Sequence, residues 1–407
     1  MRKLGRAALS ATVALALALT AACGSGSHKP AGLPVPVVNL ASLDVGNLTT
    51  QPKYYGKPTV FDMARQVEAM RMGGYIPLPV QVDPEVKYPA QAMGVTVRTF
   101  VDFGSQAIHS RVAADPAVLN AAAKGFLSGF VSSGKSDEKV SLSYELENIV
   151  LLFTDDKSAA DAAQALGQAD FDATPGAERI QIDKYPAAYA LAENSDGGPV
   201  RSWYATGRFV ILTNIFDSVL SAIGSRDLPK QIGRVQRSLD VIPPALATFP
   251  ATPVDQLMEV PVDPDGIMAR ALPTFADDPD QAGMPGVYDR QGGLQVVQGP
   301  DEVKLFDDAG VDRVAWKGNY VYRARDAAGA AKIVAAHSET SRLFRPAESP
   351  KNLPNAKCRK YIGPEFAANA HYCFVSYGRY AAEVSAGQLL DAQQRISAQY
   401  AILVNAH

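Results

Sequence analysis

Several things are missing from this 407-residue chain: a one-signed charge field, clustered histidines, cysteines at metal-binding spacing and a second long apolar run. Lys and Arg number 39 against 42 Asp and Glu, a net charge of -3, and no block of five or six like charges occurs. Nucleic acid phosphates therefore find no basic field. The histidines, His28, His109, His337, His371 and His407, form no H-E-x-x-H or i,i+4 pair, so the zinc-hydrolase signature is absent. There is no G-x-S-x-G elbow either, since Gly125-Phe126-Leu127-Ser128-Gly129 sets its serine one place late. Beyond residue 22 no apolar stretch approaches a membrane span. What remains is globular in composition, with 47% apolar and 20% charged residues, and too long for one ordinary core. Two domains are expected.

The N-terminus carries an address. Arg2, Lys3 and Arg6 precede an apolar stretch from Ala7 to Leu19, which is the layout of a signal peptide over 1–22. Thr20-Ala21-Ala22-Cys23 then resembles a bacterial lipobox, with Leu19 four residues before the cysteine where the pattern sets leucine three before. That resemblance implies lipidation of Cys23 and an anchor on the outer face of the cell membrane. The Gly-, Ser- and Pro-rich stretch through residue 40 reads as a flexible tether. Cys358 and Cys373 would then sit where disulfides persist.

From there the chain contains one plan twice. An apolar run, Ile149 to Phe153, leads into Asp156 and an alanine-rich helix, and Gly207-Arg208-Phe209 follows 51 residues after Asp156. Asn319 to Tyr322 likewise leads into Asp326, and Gly378-Arg379-Tyr380 follows 52 residues after it. Both glycines suit tight hairpins. The expected architecture is α+β: two tandem similar domains over 41–248 and 253–407, each a mostly antiparallel sheet with helices on one face. Phe249-Pro250-Ala251-Thr252-Pro253 reads as the linker between them. Helices are expected near 60–72, from Asp115-Pro116, over 157–166, 229–241, 302–309, 326–337 and 389–403. Pro243-Pro244 stops the fourth of these, and a strand is expected at Gly293–Val297.

The repeat also pairs the late cysteines. Counted back from the hairpin glycines, Cys358 and Cys373 fall on Ala187 and Ser202, either side of the Asp196-Gly197-Gly198 turn. Facing hairpin residues can be bridged, so a Cys358–Cys373 disulfide is expected. The rival is a metal site adding His371, whose spacing fits no standard zinc pattern. Each hairpin arginine and each helix-opening aspartate makes a candidate Asp–Arg brace: Asp156 with Arg208, Asp326 with Arg379.

Other motifs point to chemistry without supporting context. Gly129 to Ser136 fits G-x-x-x-x-G-K-[ST], but an expected helix precedes it and a strand follows, the reverse of a phosphate loop, so a solvated loop is expected. Ser132 and Lys135 form an S-x-x-K pair without companion motifs. Asp263-Pro264-Asp265-Gly266 opens like a calcium loop but Thr274 stands where glutamate is needed, and a turn is the expectation. The acidic loop at 277–280 reads as solvated, and Trp203 and Trp316 as core. No catalytic residue, metal, cofactor, nucleotide or nucleic acid partner is assigned.

With the lipobox, Asp44-Val45-Gly46-Asn47, Val311-Asp312-Arg313-Val314-Ala315 and Tyr322-Arg323-Ala324-Arg325-Asp326 in view, the chain resembles the two-domain lipoproteins of mycolic-acid-containing actinobacteria. The resemblance spans most of the mature chain and implies a surface lipoprotein; it carries over no catalytic residue. The leading expectation is non-enzymatic binding or scaffolding of an envelope lipid, glycolipid or protein in the groove between the domains. An envelope hydrolase with a dispersed active site, or a lipid or glycolipid carrier, is the alternative.

Overall fold

The computed structural model describes residues 38–90, 98–193, 197–273, 285–297, 299–363 and 369–406. The first half opens with α1 (Phe61–Gly73), α2 (Pro79–Val82), β1 (Tyr88–Pro89), β2 (Thr99–Phe100), α3 (Gln106–His109) and α4 (Pro116–Ala122). The long strands β3 (Phe126–Lys135) and β4 (Tyr144–Phe153) lead to α5 (Asp156–Ala173). Then come β5 (Glu178–Ile180), β6 (Tyr189–Ala192), β7 (Val200–Thr206), β8 (Phe209–Asp217), α6 (Ser218–Ala222) and α7 (Leu228–Leu246). The second half runs β9 (Gly286–Asp289), α8 (Arg290–Val296), α9 (Glu302–Ala309), β10 (Arg313–Trp316), β11 (Tyr320–Arg323) and α10 (Ala327–His337). It closes with β12 (Phe344–Ala347), β13 (Lys357–Tyr361), β14 (His371–Tyr377), β15 (Tyr380–Ala386) and α11 (Leu389–Asn405).

The two sheets share one strand order. The first reads β1-β3-β4-β8-β7-β6-β5 with β2 also on β3, and the second, traced from its β9 edge, reads β9-β10-β11-β15-β14-β13-β12. Every pairing is antiparallel. The duplicated α+β plan is therefore visible strand for strand, and the structure adds that both faces of each sheet are covered. In the first half, Ile149, Leu151 and Phe153 pack with Ala159 and Leu166 of α5, while Leu146, Val150 and Leu152 pack with Val235 and Leu239 of α7. Alternate residues of one strand thus feed two cores. In the second half α10 and α11 do the same for opposite faces.

The halves are joined by a common core. Tyr288 and Trp316 from the second half sit among Met70, Ile76, Phe130 and Phe209 from the first. Gln295 and Gln291 of α8 donate to the Ile76 carbonyl at 3.0 and 3.1 Å. The 249–253 segment is pinned as well, since Thr252 N and its hydroxyl donate to the buried Glu68 of α1 at 2.7 and 2.9 Å. Residues 38–50, grouped with the first half by sequence, lie against the second: Leu43 packs in the core with Ile396 and Tyr400, and Asn405 Nδ2 donates to Thr50 O at 2.9 Å.

Three local expectations are corrected. The glycine-rich stretch 129–136 is strand rather than solvated loop through Lys135, and residues 127–135 are buried. Both of its faces are covered, so it shows no alternation, and Gly129 is there because the Phe100 ring leaves no room for a Cβ, which would lie 2.2 Å from Cζ. Residues 293–296 are helical; Asp289 caps α8 by accepting from Gly292 N at 2.7 Å, and the strand lies upstream. Pro243-Pro244 does not stop the helix but lies within the last turn of α7, which ends at Leu246. Of Asp155 and Asp156, either of which could cap α5, Asp155 does so, accepting from Ser158 N at 2.8 Å as Asp326 accepts from Gly329 N at 2.8 Å. Asp155 precedes Gly207 by 52 residues, the interval between Asp326 and Gly378.

Candidate functional site

The halves differ most in strand length. β3, β4 and β8 have 10, 10 and 9 residues, whereas their counterparts β10, β11 and β15 have 4, 4 and 7. The extra length carries polar residues on the α5 side of the sheet. Glu145 and Glu147 follow the Ile149–Leu151–Phe153 face by strand alternation. Across the ladder Glu147 faces Ser133 and Asn214, and Asn214 faces Arg201. One step further out, Glu145 faces Lys135 on one side and Phe216 on the other. Where the apolar core ends, a cavity of about 550 Å³ opens, lined by Arg111, Glu145, Glu147, Glu193, Arg201 and Asn214 among others. That size suits a small-molecule site.

Most charges here are matched. Arg111 donates to Glu147 Oε1 through Nε at 2.9 Å and Nη2 at 2.8 Å, and Asn214 Nδ2 donates to Glu147 Oε2 at 2.9 Å. Arg201 Nε donates to the fully buried Asp170 at 2.8 Å, and its Nη1 lies 3.9 Å from Glu193. Asp170 is held in turn by Trp203 Nε1 at 3.2 Å and Ala113 N at 3.1 Å. Glu145 is the exception: it has no hydrogen-bond partner among the described residues, and burial together with neighbouring Glu147 raises its pKa. Beside it Lys135 is 1% exposed with Nζ unpartnered, and Asn214 Oδ1 and Arg98 Nε are also buried without partners. Burial, with Arg111 nearby, pulls the Arg98 guanidinium down to about 10. Such atoms normally find a partner. Among the described residues the lining holds Ser110 and three carboxylates, Glu145, Glu147 and Glu193, with no histidine or cysteine.

The second half puts titratable groups where the first has aliphatic ones. Positions five past the hairpin glycines hold Leu212 and Glu383, and those eleven past the capping aspartates hold Leu166 and His337. Opposite Val210 and Ala381 stand Leu151 and Tyr322. His337 lies between carboxylates, Nε2 3.2 Å from Glu302 and Nδ1 3.3 Å from Glu383. Burial alone would lower its pKa, but the two carboxylates override it and raise it to about 10. Glu302 also borders the groove between the halves, with Leu78, Val86, Leu294 and Val303. The cavity there is about 40 Å³, room for a water or so and not for a lipid.

The cysteines, hairpin glycines, arginines and helix-opening aspartates singled out by sequence do not line the cavity. Cys358 and Cys373 face each other across β13 and β14, Cα atoms 4.2 Å apart, and are joined. Their thiols are thereby unavailable to the rival His371 metal site. The matching first-half pair is Ala190 with Ser202, not Ala187. Gly207 and Gly378 have φ of +52° and +55°, with the links being Gly207-Arg208 and Gly378-Arg379. The arginines bond to backbone instead of to the expected aspartates: Arg208 Nε donates to Phe153 O at 3.0 Å and Arg379 Nε to Ala324 O at 2.8 Å. Asp156 opens α5 beside its cap, and Asp326 is 3.5 Å from Arg325. Carbonyls ending β4 and β11 are nearer to a hairpin turn than a helix cap is, which explains the difference.

Asp263 forms a turn, accepting from Met268 N and Ala269 N at 3.1 and 2.8 Å, while Asp265 pairs with Arg313 at 2.6 Å. Cys23 and the acidic loop 277–280 lie outside the described residues. Among the described residues no helix is long and apolar enough to cross a membrane. The pocket residues went unnoticed in the sequence because they come from five separate segments; the only local signal was the pair of glutamates two apart on an apolar strand. No curated protein and no solved structure matches the chain. Residues 55–262 match the family described as Domain of unknown function (DUF7373) N-terminal, and residues 267–406 match its C-terminal counterpart. With both parts present over most of its length, the chain belongs to the DUF7373 family.

Proposed function

We propose that this is a lipid-anchored lipoprotein of the cell envelope, held outside the cytoplasm by Cys23, that binds an envelope component without chemical turnover. The signal-like N-terminus, the cysteine after Thr20-Ala21-Ala22 and the likeness to lipoproteins of mycolic-acid-containing actinobacteria support the address. The disulfide fits an oxidising compartment. The observation that carries the binding reading is the cavity of about 550 Å³ on the lengthened strands, whose arginines are already engaged by carboxylates and whose lining has no nucleophile–base pair. The ligand site therefore moves from the groove between the halves to the end of the first sheet.

Two experiments test this. Metabolic labelling with a lipid probe should mark the parent and not Cys23→Ala; label retained in the variant contradicts the anchor. Immobilised full-length protein should capture envelope material, and Ala113→Trp, at an exposed position on the pocket wall, should abolish capture without disturbing the fold. Capture undiminished in that variant contradicts the site.

A hydrolase is the second reading, favoured by one observation: Glu145 and Glu147 stand two apart on one face in unlike environments. A raised carboxyl beside a cation-paired one is the arrangement of glycosidic acid–base pairs. Release of reducing sugar from envelope carbohydrate, lost in Glu145→Gln, would decide for it.

A further inference from the structure

We infer that the first sheet ends in an apolar tip that docks into the lipid surface to which the chain is anchored. The inference rests on the Cys23 anchor proposed above and adds the face that the body turns to the bilayer.

Thirteen large hydrophobics are exposed among the described residues, and four of them fall in two short segments: Val140 and Leu142 at 47 and 56%, Val219 and Ile223 at 42 and 70%. Val140–Leu142 is a 3-10 turn between β3 and β4, while Val219 and Ile223 belong to α6 and its C-cap. The segments lie side by side, with Ser218 N donating to Ser143 O at 3.0 Å. Neither the turn nor α6 contains a buried residue, and none of the four side chains joins a core. Both segments are additions to the repeated plan. β3 and β4 are linked by eight residues where β10 and β11 are linked by three, and ten residues separate β8 from α7 where two separate β15 from α11. An apolar patch that the fold does not use, on segments that the second half does without, marks an interaction site.

Three observations favour a lipid surface as its occupant. The four side chains are all aliphatic, whereas protein hot spots lean on Trp, Tyr and Arg. The flanking charges come in both signs, Asp137, Glu138 and Lys139 before the first segment and Arg226, Asp227 and Lys230 after the second, so no charged partner is selected. Fourteen residues separate Cys23 from Val38, a reach of ~50 Å when fully extended, similar to the diameter of a body this long. An acylated Cys23 thus keeps the bilayer within reach at high local concentration, and aliphatic side chains need sink only ~5–10 Å into it. Glu145 and Phe216 line the cavity one ladder step from Tyr144 and Asp217, where the tip begins, so docking sets the cavity beside the headgroups.

The test is the full-length lipoprotein reconstituted in vesicles of phosphatidylcholine and phosphatidylglycerol, with an NBD fluorophore on a single introduced thiol. Acylation of Cys23 and the disulfide leave no other thiol free. Leu142→Cys and Ile223→Cys carry the probe on the tip, and Lys124→Cys, exposed beyond the opposite end of β3, is the control. Doxyl-labelled phosphatidylcholine should quench both tip probes, which are blue-shifted, and leave the control unquenched. Ile223→Asp should return the Leu142 probe to the control level with the melting midpoint in detergent unchanged. Quenching no greater at the tip than at Lys124, in a chain that floats with the vesicles, overturns the docking and leaves the anchor. A blue shift without quenching, the mark of a second copy or a protein partner over the tip, overturns it as well. A chain that does not float takes the anchor and the docking down together.

Discussion

At the scale of single residues, two groups are held in states that water would not choose, with opposite signs. Glu145 has its folded pKa above its usual 4.5 because it is buried beside Glu147. An acid so shifted contributes stability below its unfolded value and loses it as pH rises through the folded one. Glu145→Gln should therefore raise the urea midpoint at pH 7 and leave it nearly unchanged at pH 4; a lower midpoint at pH 7 would contradict this. His337 is raised instead by favourable partners, so its contribution is complete below its usual 6.5 and is lost as pH rises through about 10. His337→Leu strands Glu302 and Glu383 without their cation and should cost ~3–5 kcal/mol in chemical denaturation at pH 7. Adding Glu383→Leu copies the first half, where Leu166 and Leu212 occupy these places, and should recover part of the loss. None of this was legible in the sequence, where His337 is simply a helix-ending histidine and Glu145 one acid among 42 acidic residues.

At the scale of elements, the hairpin is the repeated device. Each glycine turns with positive φ and open space about it, and each arginine then reaches back to the strand that precedes a capped helix. Gly378→Ala should cost about 1 kcal/mol, from backbone conformation alone. Removing the disulfide by paired serine substitutions should cost ~3 kcal/mol by loop closure over the separation of 15 residues. The check is reductant: it should lower the melting midpoint of the parent and leave the double variant unmoved. The hairpins and the disulfide were readable because turn chemistry and spacing are local. β3 was not, because a strand buried on both faces loses the alternation that identifies strands, and its Gly and Ser residues mimic a loop. Nor were the braces, since a charged side chain's choice between a carboxylate and a nearby carbonyl depends on where the backbone passes.

At the scale of the molecule, one strand order occurs twice, and the copies differ in what they keep open. The first has long central strands and a polar cavity; the second has short ones, holds His337, Tyr322 and Glu383 in its core, and fastens a hairpin with sulfur. The duplication was legible from spacing. The merger was not, because contacts such as Trp316 with the first-half core join residues far apart in the chain. Because Trp316 and Tyr288 complete that core, the described body should unfold in a single calorimetric transition. Trp316→Ala should lower that transition as a whole, by ~3–5 kcal/mol, and two separate transitions would contradict the shared core.

Hydrogen exchange of the full-length protein, with and without whole envelope extract, tests the central claim most directly. The account predicts added protection at residues 110–113, 144–148 and 199–216, where strands and loops border the cavity. Protection confined to residues 78–88 and 294–303, between the halves, would contradict it.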